Sequence, residues 1–304
     1  DKLEEILLNE TEYGQSILQF NVHIKKLQQE GKLTITECRD PKTTDKDFRY
    51  KPETNNILLY PLSVQFRKDS FANSDDPHKL MARFHENLHA VQDLNSPRNV
   101  LENLVYIEEK MLDPNNHSGS FFIKYTPNFL QKYAARVMSR EELEKTKDVD
   151  GTYSGSKISE HFVRTWDSFQ ATAFERLAIM EAHAYFAMTP PIAPTKDIAE
   201  YLYSFMIKTK YFSASAVKPE QFVRVYEGVQ DAYSIFADDP RGEHRVVAEF
   251  VGLHSESFSD FFKAIEKLKT RESSDNYQKK GACLDKRMGD FFKRAREIYH
   301  REFK

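Results

Sequence analysis

The chain has 304 residues, 40% hydrophobic and 30% charged, with a formal net charge of −3. That is enough apolar residue for one large core or two modest ones, which excludes a disordered chain. Charges of both signs are well mixed and no run approaches the roughly 18 apolar residues of a membrane span, so neither nucleic acid nor membrane is expected as a partner.

The two cysteines, Cys38 and Cys283, are too far apart for a disulfide framework and too few for a thiolate zinc cluster. They favour a reducing, intracellular compartment. The first residue is Asp1 rather than Met, so a trimmed or processed N-terminus is expected.

In chain order, Leu3, Ile6 and Leu7, then Ile17, Leu18 and Leu27, recur at intervals that predict helices. "KLTITEC" alternates and "NILLYPLSVQF" is rich in branched and aromatic residues but broken by Pro61. Together they predict a small antiparallel sheet with an edge strand at Ser63 to Arg67. Such an edge can receive an extended substrate by β-addition.

Next comes "DDPHKLMARFHENLHAVQDLNSP". Asp76 suits a cap, Pro77 the first helical position, and Asn95 with Pro97 a stop. Leu80, Phe84, Leu88 and Val91 make the core stripe of this helix, and His85, His89 and Gln92 an adjacent one facing a cleft. Four residues rise about 6 Å and turn about 40°, so the two imidazoles can converge on one ion. Glu86 projects beside them rather than at the ion. A zinc ion held there can activate water, and Glu86 is placed to act as the general base.

Loops are expected at 113–120, 148–156 and 189–195, where Gly, Pro, Asn and Ser cluster. None is a clear interdomain linker. The expected organisation is a single domain, 1–304, with room for a cleft between an N-terminal lobe (1–150) and a helical C-terminal lobe (151–304).

A hydrolytic zinc site needs a third protein ligand. Phe162, Trp166, Phe169, Ala173, Leu177, Met180 and Ala184 trace one long apolar helical face, and from Leu177 to Met188 only Glu181 and His183 are readily ionisable. An isolated charge in so apolar a segment is costly unless compensated, and metal coordination compensates it. Glu181 is the preferred third ligand, with His183 and Glu175 as alternatives. A salt bridge to Arg176 is the structural alternative for Glu181. Tyr185 shares its helix face and is a candidate oxyanion donor. The basic C-terminal stretch carries Met288, Phe291, Phe292, Ala295, Ile298 and Tyr299 at helical spacing and predicts a helix packing one face.

"HENLHAVQ" resembles the zincin signature HExxH in its HExxHxxQ form, and "MEAHAYFA" resembles the later Glu-Ala segment that supplies a glutamate ligand in several zincin families. The resemblance implies a mainly α, zincin-like domain whose small sheet precedes the active-site helix. It also implies Zn²⁺ on His85, His89 and Glu181, Glu86 as catalytic base, and a protein substrate. A mid-sized, Phe- and Lys-rich helical chain with one early HENLH is moreover similar to the actin-cleaving effector metalloproteases of Legionella. That likeness implies host actin as substrate and action in the host cytosol after secretion.

Two rivals belong to other classes. Glu86-xx-His89 and Glu297-xx-His300 are the paired ExxH of a di-iron carboxylate bundle. A non-catalytic helical interaction module would need none of this chemistry.

Overall fold

The structure, a computed structural model, describes residues 7–37, 48–51, 56–59, 78–112, 127–271 and 274–303. Leu3, Ile6, Cys38, the edge strand at 63–67 with Pro61, the Asp76–Pro77 start signal and the loop at 113–120 lie outside the described residues.

After a helical turn at 7–10, α1 (Glu12–Gln29) begins at Thr11, whose side chain accepts a hydrogen bond from the Gly14 amide. Tyr13, Ile17, Phe20, Ile24 and Leu27 form its buried face, and Gly31, at φ 69°, turns the chain out of it. Three short strands follow, β1 (Thr34–Glu37), β2 (Phe48–Lys51) and β3 (Asn56–Leu59), in the order β1-β3-β2. A sheet does precede the motif helix, but it is mixed rather than purely antiparallel. β2 and β3 pair antiparallel, whereas β1 joins the other edge of β3 in parallel. A long enough connection between β1 and the β2–β3 pair permits this.

The motif helix is α2 (His78–Leu94), and β2 and β3 pack against it. Met81, Phe84, Leu88, Ala90 and Val91 are buried. At its end the Asn95 side chain donates to the Val91 carbonyl at 2.7 Å, and Pro97 opens the next helix.

The remaining helices are α3 (Pro97–Leu112), α4 (Pro127–Arg136), α5 (Arg140–Glu144), α6 (Gly155–Ala171), α7 (Ala173–Met188), α8 (Thr195–Lys208), α9 (Pro219–Phe236), α10 (Glu243–Leu253), α11 (Phe258–Lys269) and α12 (Ser274–Phe303). The architecture is mainly helical, as the periodicity predicts. The long apolar face read across 162–184 is two helices. Thr172 closes α6, its hydroxyl donating back to the Ser168 carbonyl at 3.1 Å, and α7 starts at the next residue.

Two compact units result, one made of residues 1–95 with 174–304 and one of residues 96–173. The unit boundaries fall at 95/96 and 173/174. The smaller unit closes over Leu101, Leu104, Val105, Phe129, Tyr133, Ile158 and Phe162, with Phe162 edge-on to Phe129 and Tyr133 at 5.1 and 5.2 Å.

In the larger unit α9 packs against α8, α10, α11 and α12, and α10 lies along α2. A Cβ at Gly252 of α10 would come within 2.0 Å of the Gln92 carbonyl oxygen, so only glycine permits this crossing. α12 buries Leu284, Met288, Phe291, Ala295 and Ile298, one helical face of the basic C-terminal stretch, as expected. Among the described residues no helix is long and apolar enough to cross a membrane.

Candidate metal centre

α7 is buried on nearly every side, with Ala178 to Ala184, Phe186 and Ala187 all inside, as expected of a helix apolar all round. Glu181 is therefore a carboxylate in the core, 5% exposed. It meets the motif helix there. Its Oε2 lies 3.3 Å from His85 Nε2 and its Oε1 3.5 Å from His89 Nε2. The two Nε2 atoms are themselves 2.9 Å apart.

All three donors lie within 4.8 Å of one another, and among the described residues no other group of three or more His, Cys, Asp or Glu converges this way. Glu181 Oε2 is buried without a hydrogen-bond partner despite its nearness to His85. Two imidazole rings and a buried carboxylate oxygen face one point, and the donor set fits a metal ion. This group could hold one.

The electrostatics agree. Burial opposes a charge on His89, but the Glu181 carboxylate outweighs it and lifts the imidazole to about 9. Burial likewise opposes ionisation of Glu181, yet the two histidines hold it below the usual carboxylate range. A positive charge on His89 beside the Glu181 carboxylate thus stands where a cation would.

Surrounding groups hold the two histidine rings in place. His89 Nδ1 is 2.8 Å from Gln92 Oε1. His85 Nδ1 is 3.2 Å from Met188 Sδ, and its ring meets Tyr185 edge-on at 4.9 Å. Glu86, half-buried on α2, is outside the donor group, and its charge helps raise the pKa of His89, Tyr185 and Tyr211, which places it beside the cluster.

The alternative ligands are engaged elsewhere. His183 points away from the group, its Nδ1 2.5 Å from Gln92 Nε2 and its Nε2 3.1 Å from the Tyr233 hydroxyl. Glu175 accepts the Phe258 amide at 2.7 Å and caps α11. Arg176 pairs with Asp93, not Glu181. Glu297 is exposed and pairs with Arg294 at 3.2 Å, while the side chain of His300 lies outside the described residues.

Sequence reasoning missed Tyr211. It follows Lys210, whose φ of 62° turns the chain after α8, and it is hydrogen-bonded to Tyr185. Burial, then Glu181 and Glu86, push its hydroxyl to about 12. With fifteen tyrosines in the chain, nothing in "KTKYF" distinguishes it. No family model, curated protein or solved structure matches the chain.

Proposed function

We propose that the chain is a zinc-dependent endopeptidase that hydrolyses peptide bonds of a protein substrate. The observation that carries this reading is the meeting of His85 and His89 with Glu181, a carboxylate far along the chain, with Glu86 on the motif helix beside them. Nitrogen and oxygen donors in this ratio suit zinc, and three protein ligands leave a position open for chemistry. Bound there, zinc supplies Lewis acidity toward a water and a substrate carbonyl.

The chain's own residues do the rest. Glu86, half-buried and next to the histidines, takes a proton from the attacking water on its carboxylate and returns it to the leaving amine nitrogen. Tyr185 and Tyr211 both stay protonated at neutral pH because burial holds their hydroxyls up. A hydroxyl of this pair is a ready donor to an oxyanion. Gln92 holds the His89 ring from behind.

The likeness of HENLH and its early position to the actin-cleaving effector proteases supports actin as the substrate and the host cytosol as the place of action. The deciding experiment is elemental analysis of the purified chain together with an actin-cleavage assay of the wild type and Glu86→Ala. The expected result is one zinc per chain in both, with cleavage only by the wild type. Cleavage retained by Glu86→Ala overturns the assignment, and a chain that binds a partner without cutting it is an interaction module instead.

A further inference from the structure

Behind the metal centre a run of buried polar side chains crosses an otherwise apolar core. Gln92, His183 and Tyr233 are fully buried and His244 is nearly so. The mechanism above uses only the first of them. The direction of each hydrogen bond in this run is fixed by what lies at its two ends.

At one end is the Met180 carbonyl, which can only accept. Gln92 Nε2 lies 3.1 Å from it and donates to it, so Gln92 Oε1 must be the atom that faces His89 Nδ1. That oxygen accepts, and His89 carries its proton on Nδ1. The second hydrogen of Gln92 Nε2 points at His183 Nδ1, which therefore accepts. A neutral His183 then has its proton on Nε2 and donates to the Tyr233 hydroxyl at 3.1 Å. The Tyr233 hydrogen goes on to His244 Nδ1 at 3.1 Å. His244 Nε2 donates to Ser16 Oγ at 2.9 Å. Ser16 ends the run on the Tyr13 carbonyl at 2.8 Å, again a group that can only accept.

Reversing any link sets two acceptors or two donors face to face in the core, at about 1 to 3 kcal/mol for each buried group left unpaired. Carbonyls at both ends allow one direction. A well-packed apolar replacement of a buried polar network is often as stable as the network, so stability alone does not call for four such side chains.

We propose that Gln92, His183, Tyr233 and His244 are positioning residues, a one-way hydrogen-bond relay that holds the proton of His89 on Nδ1 and leaves its Nε2 open toward His85 and Glu181. The proposal rests on the reading of that group as a metal centre. Five helices contribute: Ser16 from α1, Gln92 from α2, His183 from α7, Tyr233 from α9 and His244 from α10.

The test is a set of long-range ¹H–¹⁵N correlation spectra of the histidine side chains, on the full chain at pH 7 with and without zinc chloride. His183 and His244 are expected as neutral Nε2–H tautomers in both states, and His89 as Nδ1–H when zinc is present. An Nδ1–H tautomer or an imidazolium at His183 or His244 overturns the relay. Tyr233→Phe removes the hydroxyl that joins the two rings. Zinc affinity, read by chelator competition, is expected to fall about tenfold, and His183 to lose its single Nε2–H signature. A folded Tyr233→Phe chain with wild-type affinity and an unchanged His183 signal also overturns it. If that variant does not fold, the wild-type spectrum still decides. A wild-type chain that binds no zinc sinks the metal centre and the positioning role together, whereas zinc binding with the wrong tautomers sinks only the relay.

Discussion

Glu181 is a charge that the core would reject without its two histidines. Removing it leaves His85 and His89 without their third donor and without their nearest carboxylate. If the group holds zinc as proposed, Glu181→Ala should strip most of it from the chain, and full occupancy by elemental analysis would exclude Glu181 as a ligand. In the metal-free chain His89 keeps its proton up to about pH 9, so a cation must displace that proton. Zinc affinity should rise about tenfold per pH unit toward 9, as calorimetry at several pH values would read.

His244 acts on stability in the other sense. Burial, then the Arg287 charge, lowers it to about 3, while an unfolded histidine titrates near 6.5. Between those values the unfolded chain binds more protons. The His244 contribution is thus complete above about pH 6.5 and lost as pH falls toward 3, by roughly 1.4 kcal/mol per unit. Urea midpoints should drop from pH 7 to pH 4, and a flat profile refutes the assignment.

At this scale the sequence was informative wherever spacing or isolation singled a residue out. His85 and His89 are one helical turn apart, and Glu181 is a lone carboxylate in an apolar run. Tyr211 and the inward role of His183 depend on the close approach of distant segments, which no local pattern encodes.

Helix α10 crosses α2 at Gly252, against the carbonyl of Gln92. Gly252→Ala should force the two helices apart at the residue that orients His89. The expected cost is about 3 kcal/mol or more in urea unfolding, together with weakened zinc binding. Wild-type stability in that variant would show that the crossing tolerates a methyl group.

Elements were readable in the sequence where apolar residues kept one period, as in α1, α2 and α12. The direction of β1 was not, because alternation tells which face a strand buries and not which way its neighbour runs. Nor was the break at Thr172. Apolar residues continue at helical spacing on both sides of it, so periodicity alone reads one helix where there are two.

Across the whole molecule, the histidine-bearing and glutamate-bearing helices both belong to the larger unit, and residues 96–173 form the other. Asp93 and Arg176, near the two crossing points, are paired, so the chain leaves and rejoins the larger unit at neighbouring places. A chain with 97–172 replaced by a short Gly-Ser linker should fold and bind zinc with near wild-type affinity by chelator competition. Loss of zinc binding in a folded deletion would show that the smaller unit supports the centre.

The wide gap in sequence between the histidines and Glu181 is then largely the length of the smaller unit. A single stretch of polypeptide interrupted once therefore carries all three donor atoms, and the interruption is a compact body with its own core.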